Sequence, residues 1–215
     1  MAAPPTARRA VTPPPRAQAA AGRPAPGGKG ERTRRRILQH AIARFAAEGR
    51  QRTALADIAR DAGVTPAAVY AYFPGKEALF RAAVDADAEA LLAAARARAS
   101  GDSVRDVYWT TVAALREALP SHPLVRRVLA GLEPGVGAQL LELPSLVEAR
   151  RELIDALRAG QATGEIRADI EPEPFATGLE ALVLSALMAE LQLGAHDEQL
   201  VLSVVAVLDA ALRPS

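Results

Sequence analysis

Cysteine is absent from this sequence, and histidine occurs only three times. Without thiols the chain can form neither disulfide bonds nor thiolate metal sites, a composition that fits the cytosol. The three histidines, His40, His122 and His196, are far apart along the chain, and no serine-hydrolase, phosphate-loop or zinc-protease motif accompanies them. We therefore expect no catalytic residues, no metal site and no cofactor, and we do not expect an enzyme.

Long apolar runs are also missing. The longest one, residues 181–189, is about half the length that crosses a bilayer, and the N-terminus has no apolar signal core. These features predict a cytoplasmic protein with no membrane partner. Half of the 215 residues are hydrophobic, which is ample for a packed core.

Charge is distributed unevenly, although the net charge is only +1. Residues 1–30 carry five basic and no acidic side chains, residues 31–82 carry ten and five, and residues 83–215 carry eleven and twenty. A basic first third attracts a polyanion, and an acidic remainder is repelled by it. The distribution predicts that one end of the molecule approaches nucleic acid.

Residues 1–30 are rich in alanine, proline and glycine and include five basic side chains. Such a segment buries too little surface to offset the entropy lost on ordering, so we predict a disordered arm. Two interpretations of the arm stay open, a solubilising tail and an arm that contacts phosphates or the minor groove.

The remainder of the chain shows helical spacing of apolar residues and no sustained alternation, which predicts an all-α fold. We expect an N-terminal three-helix DNA-binding domain over residues 31–80 and a helical ligand-binding and dimerisation domain over residues 81–215. Helices are predicted over residues 31–48, 55–62, 66–72 and 76–99, after the cap candidates Asp102 and Ser103, after Ser121, around residues 145–159, after Pro174 and after Asp197.

Residues 53–76 predict a helix-turn-helix. Ile58, Ala59 and Ala62 form one apolar side of a short helix that ends at Gly63, and Thr65 followed by proline is a typical start for the next helix. Because a reading helix offers its first turn to the base edges of the major groove, four residues are candidate base contacts: Thr65, Pro66, Ala67 and Ala68.

The two alanines offer only methyl groups, which suit thymine methyls but lack bidentate donors; they are also simply good helix formers. Base recognition therefore depends on Thr65, on Arg52 beside the second helix and on DNA shape. The basic cluster at residues 34–36 provides a candidate phosphate contact at Arg36, with a solvated surface as the alternative.

Residues 32–80 resemble the N-terminal domain of the TetR-type (tetracycline-repressor-like) transcriptional regulators. The resemblance rests on Phe45 with Gly49, on Asp57-Ile58-Ala59, on Ala62-Gly63-Val64 and on the run from Tyr70 to Lys76. It implies an all-helical homodimer that binds a palindromic operator in double-stranded DNA and is released, as a repressor, by a small-molecule effector in the C-terminal domain.

The resemblance also implies particular contacts. Tyr70, Tyr72 and Lys76 occupy positions that donate hydrogen bonds to phosphates in the family. One departure concerns the cap of the second helix, where the family usually has threonine and this chain has Ala54. Either Thr53 caps a helix that starts one residue sooner, which we favour, or the cap is lost at a cost of about 1 kcal/mol together with one phosphate contact.

The C-terminal half offers two further sets of candidates. The middle helices could enclose an apolar cavity with a few polar groups, although His122 also suits a helix N-terminus beside Pro123. The candidate effector contacts are Tyr108, Trp109, His122, Val128 and Leu146. By the resemblance, the last two helices form the dimer interface, and its candidates are Val183, Leu187, Leu191, Val201, Val205 and Leu208.

Two other functions fit parts of the sequence. The basic arm and the alanine-rich reading helix also suit an architectural DNA-binding protein without sequence preference, although the acidic body argues against it. A helical ligand sensor that does not bind DNA is the other alternative.

Overall fold

The computed structural model describes residues 28–193, 206–207 and 209–212. These residues contain helices and no strand, which confirms the predicted all-α class. The predicted arm lies outside the described residues as far as residue 27. The helices are α1 (Lys29–Glu48), α2 (Leu55–Asp61), α3 (Pro66–Tyr72), α4 (Lys76–Arg96), α5 (Val104–Ala118), α6 (Pro123–Leu129), α7 (Pro144–Thr163) and α8 (Pro172–Leu193), with 3-10 turns at Leu119–Ser121 and Gly137–Glu142; residues 206–207 and 209–212 are also helical.

Helices α1, α2 and α3 form a compact head around fully buried apolar side chains. Ile58 of α2 and Val69 of α3 have no exposed surface. The ring of Phe45 meets that of Phe80 edge to face, with 5.1 Å between the ring centroids, a favourable arrangement for two aromatic rings. Because Phe80 belongs to α4, the head and the long helix that follows it share one core.

Helix α4 connects the head to the C-terminal body. Its 21 residues span about 31 Å at the usual helical rise. Leu79 and Phe80 are buried against the head, whereas Ala88 and Leu91 are buried further along the helix. The boundary predicted at residue 80 therefore falls inside a continuous helix.

Two carboxylates of α4 hold the N-termini of two body helices. The Oδ2 atom of Asp87 accepts hydrogen bonds from the backbone N–H groups of Leu124 and Val125 at 3.0 Å each, and the Oδ1 atom of Asp85 accepts one from Ser145 at 2.9 Å. Free N–H groups and the helix dipole both favour a negative charge at such ends. Helices α6 and α7 are thus fixed to the same helix that enters the head.

A second apolar cluster lies at the far end of the body. It is built from buried residues of α7, α8 and the loop between them, together with Leu212. Trp109 packs on this cluster from α5. The described part of the body therefore contains two apolar clusters, of which the first is continuous with the head.

Candidate nucleic-acid interface and effector cavity

The turn between α2 and α3 depends on a glycine. Gly63 has a φ of +61°, which side chains other than glycine rarely adopt. The N–H of Val64 donates to the carbonyl of Ala59 at 2.9 Å, which closes the end of α2 as in common helix C-caps. The turn brings the chain directly to the start of α3.

The first turn of α3 faces solvent, as the sequence predicted. The Thr65 side chain accepts a hydrogen bond from the N–H of Ala68 at 3.2 Å and so caps the helix, and Pro66 occupies the first helical position. Val69 anchors the helix in the core, while Thr65, Pro66 and Ala67 are exposed and Ala68 is half-buried. Since the Thr65 oxygen accepts in the cap, its hydroxyl proton is available to an external acceptor.

Two tyrosines follow on the same helix. Tyr70 is 57% exposed, which is unusual for a large aromatic side chain, whereas Tyr72 is half-buried and packs on the core. Phe73 is buried, and the guanidinium carbon of Arg34 lies 5.3 Å from the centre of its ring. Arg34 is therefore engaged with the head, and the neighbouring Arg36 is exposed.

Lys76 lies at the first residue of α4 and is held by the loop between α1 and α2. Its Nζ atom donates to the carbonyl oxygens of Gln51 at 3.1 Å and Thr53 at 3.4 Å. These oxygens offset the unfavourable position of a cation at a helix N-terminus, and the third ammonium proton remains for an external acceptor. Arg52 in the same loop is exposed, and its Nε donates to the carbonyl of Glu48 at 2.9 Å. The arrangement presents two cations beside the reading helix, where a phosphate would be favoured.

The structure corrects the interpretation of Thr53. Helix α2 begins at Leu55 with Ala54 at the N-cap position and no side-chain cap. Thr53 is 1% exposed; its hydroxyl donates to the carbonyl of Gly49 at 2.8 Å, and its N–H donates to the same oxygen at 3.2 Å. The carbonyl at the end of α1 thus takes both donors, so Thr53 neither caps α2 nor reaches a phosphate.

A buried ion pair of the body, which no sequence pattern had indicated, is hydrogen-bonded to the backbone of the head. Glu133 is 5% exposed, and its Oε1 accepts from the Nε of Arg127 at 2.7 Å and from the backbone N–H of Arg50 at 3.2 Å. Arg127 also donates to the carbonyl of Ala46 at 3.4 Å. We call Arg127 and Glu133 the latch, because they bind the end of α1 to α6 and the loop after it.

Gly49 lies directly against the latch. Its φ is +81°, and a Cβ atom placed on it would lie 2.6 Å from Nη2 of Arg127 and 3.0 Å from Oε1 of Glu133. Both the backbone conformation and the close approach therefore favour glycine. The residue that ends α1 also makes room for the buried charges.

A cavity of about 390 Å³ lies in the body. Apolar side chains of α4, α5, α7 and α8 form most of its wall. The predicted contacts Tyr108 and Leu146 line it, and Arg150 and Glu180 form an ion pair in the wall. Burial, and secondarily the charge of Glu180, raises the pKa of Tyr108, which therefore stays protonated; burial also raises the pKa of Glu180, against the influence of Arg150.

Three predicted effector contacts do not line this cavity. Trp109 faces the second apolar cluster, and its Nε1 donates to Asp209 at 3.4 Å. His122 directly precedes α6, and its Nδ1 lies 3.0 Å from Oδ1 of Asp87. It therefore occupies the N-terminus of a helix, which was the other position that the sequence suggested for it. Val128 is 2% exposed and belongs to the main core. Helical spacing predicted that these residues face inward, but it does not distinguish the cavity wall from the packed core or from the second apolar cluster.

The structure also corrects the predicted dimer contacts on α8. Val183, Leu187 and Leu191 pack on the main core, and the first two line the cavity. The outward side of α8 instead carries Leu182, which is 44% exposed, and Leu193, which is 77% exposed. The other three candidates, Val201, Val205 and Leu208, lie outside the described residues.

Comparisons with known proteins agree with this geometry. Residues 37–83 match the family described as bacterial regulatory proteins, tetR family. A putative TetR-family transcriptional regulator from Rhodococcus sp. has a similar structure, with a TM-score of 0.66 and 24% identity over 85% of this chain and 99% of that one. GusR of Salmonella enterica gives a TM-score of 0.59 and 26% identity over 86% and 98% of the two chains.

A third similar structure is TylP, a TetR regulator from Streptomyces fradiae. It gives a TM-score of 0.62 and 25% identity, over 86% of this chain and 89% of that one. The similarity to these structures thus extends beyond the matched head into the body. A comparison with curated proteins found no match.

Proposed function

We propose that this chain, whose residues 37–83 match the tetR family of bacterial regulatory proteins, is a repressor that a small molecule releases from a palindromic operator. Members of this family are DNA-binding transcriptional regulators and not enzymes, and they bind small-molecule ligands. Repression, release and the residues that perform them are the proposal.

One observation carries it: a single helix serves both candidate sites. Helix α4 begins with Lys76 beside the reading helix, and its residues Val84, Ala88 and Leu91 line the cavity. A ligand that fits better when α4 is displaced would favour a dimer whose reading helices are wrongly spaced for the operator. Such differential affinity is what ligand control requires.

The proposed DNA contacts lie on one side of the head. Thr65, Pro66, Ala67 and Ala68 would meet base edges in the major groove. Tyr70 and Tyr72 would donate to phosphates, and the cations beside them would fix the register of the protein on the backbone. The cations are Arg36, Arg52 and Lys76.

The proposed homodimer uses the outward side of α8. This helix has a mean hydropathy of 1.4 over its most apolar window, of which only 17% is buried in the single chain. Gly178, Leu182 and Ser185 lie exposed along one side, and their helical spacing forms a stripe that a twofold partner can cover. Two reading heads related by this twofold axis would match a palindromic operator.

Among the described helices, α8 alone has the length and hydropathy of a membrane span. Its acidic residues argue for packing in a soluble protein, because Glu180 pairs with Arg150 and Glu190 pairs with Arg116 on neighbouring helices. We propose a cytoplasmic protein, where the DNA target is available.

Replacing Lys76 with alanine should weaken binding to every DNA sequence, because an ammonium contact to a phosphate carries no base information. The slope of log K against log salt concentration should fall in magnitude by about 1.8, because each subunit of the proposed dimer loses one phosphate contact worth about 0.9. The measurement is fluorescence anisotropy over a salt series, with a duplex selected from a random library.

The matched control is Arg151→Ala, which removes an exposed cation of the body that pairs with Glu148. It should leave affinity and slope unchanged. An unchanged slope for Lys76→Ala would refute the phosphate contact.

A competition experiment distinguishes a regulator from an architectural DNA-binding protein. A regulator should keep its selected duplex against roughly a thousandfold excess of unrelated DNA, whereas an architectural protein should lose it.

A further inference from the structure

Among the residues that the structure describes, six polar side chains interrupt the otherwise apolar wall of the cavity. Their partners determine what kind of ligand the cavity can hold, because a polar group that is already paired inside the protein has little to offer a ligand. They are Arg96, Tyr108, Thr111, Arg150, Glu152 and Glu180.

The four charged side chains form two ion pairs within the wall. Arg96 lies 2.7 Å from Glu152, where both side chains are substantially exposed, and Arg150 pairs with Glu180, where both are largely buried. Arg150 also donates to the carbonyl of Leu141 at 2.8 Å. The wall therefore has no net charge, and a charged ligand would be desolvated without a free counter-ion.

The two hydroxyl groups differ in their partners. Thr111 donates its proton to the carbonyl of Val107 at 2.7 Å. The Tyr108 hydroxyl makes no hydrogen bond to any part of the chain that the structure describes, and the side chain is half-buried. A protonated phenol at the wall of an apolar cavity can donate a hydrogen bond to an oxygen atom of a bound ligand.

We propose that the cavity takes an uncharged, mainly apolar molecule bearing one hydroxyl or carbonyl oxygen, and that this oxygen accepts a hydrogen bond from Tyr108. The inference rests on the proposed function, since it names the chemical class of the effector. It excludes carboxylates and ammonium compounds, because Arg150 and Glu180 neutralise each other and a charged ligand would lose its hydration without gaining a free counter-ion.

The test uses three probes that share one alkyl chain and differ in the head group: 1-octanol, octanoate and octylammonium. Binding is followed by the shift in melting temperature and by the fluorescence of Trp109, the only tryptophan, whose ring centre lies 4.8 Å from that of Tyr108. We expect saturable binding of octanol and at least tenfold weaker binding of both ions. Octanoate or octylammonium binding as tightly as octanol would overturn the proposal.

The hydroxyl is tested by Tyr108→Phe, which keeps the ring. The affinity for octanol should fall about three- to tenfold, as expected for one hydrogen bond. The affinity for octane, which has no oxygen, should not change. The control Thr163→Val removes an exposed hydroxyl outside the cavity and should change neither affinity. Equal octanol affinity in wild type and Tyr108→Phe would overturn the assignment.

A DNA measurement separates this inference from the proposed function. If octanol binds but leaves the selected duplex bound at saturation, ligand release is contradicted for this class and the chemical inference stands. If octanoate releases the duplex and octanol does not bind, release stands and the chemical inference fails.

Discussion

Replacing Glu133 with alanine should lower the free energy of unfolding by about 3 kcal/mol, because removing one partner of a buried ion pair leaves the other uncompensated. Arg127 would lose its carboxylate, and the N–H of Arg50 would lose its acceptor. The contact with Arg50 joins the body to the head, and the contact with Arg127 holds that side chain beside the carbonyl of Ala46 at the end of α1. Urea unfolding followed by circular dichroism measures the change.

The control is Glu148→Ala, which removes an exposed acid whose partner Arg151 is also exposed. Its effect should stay within about 0.5 kcal/mol, the usual value of such pairs. If the two variants lost the same stability, the latch would not be a structural link between head and body. Since the link touches the end of α1, Glu133→Ala should also reduce the effect of ligand on DNA affinity.

Replacing Leu182 with glutamate should dissociate the dimer and weaken operator binding by a factor on the order of 100 to 10,000. A carboxylate would be buried without a partner in the proposed interface. Each head would then bind its half-site alone, and the gain from linking two binding events would be lost. Analytical ultracentrifugation reports the mass, and anisotropy with the selected duplex reports the affinity.

Leu132→Glu is the matched control, because Leu132 is 57% exposed and lies outside α8. This variant should remain dimeric and bind DNA normally. A Leu182→Glu protein that stayed dimeric would show that the partner covers another surface.

The head was predictable because its signals are local. Thr65, proline and Gly63 mark the ends of α2 and α3 within a few residues, so the predicted bounds of α3 match the structure. The cap of α2 was mispredicted for an equally local reason. The Thr53 hydroxyl can either cap the helix that follows or donate to the carbonyl of Gly49 before it, and the sequence does not show which of the two hydrogen bonds forms.

The body was less predictable, because its decisive contacts join distant residues. His122 meets Asp87 35 positions away, and Glu133 meets Arg50 83 positions away. Helix α8 is apolar on most of its sides, so spacing identified it as an interface helix without showing which side faces inward. Trp109 shows the same difficulty. The spacing of apolar residues on α5 does not reveal whether this side chain faces the cavity or the second apolar cluster, on which it packs.

The central claim, that the first turn of α3 enters the DNA groove, can be tested by cross-linking from a single thiol. The chain has no cysteine, so Ala67→Cys carries a photoreactive group at one site only, and Ala162→Cys places the same group on an exposed part of α7. We predict that position 67 labels the selected duplex at two places related by its dyad and that position 162 labels none. Equal labelling from both positions, or none from position 67 while the duplex stays bound, would contradict the account.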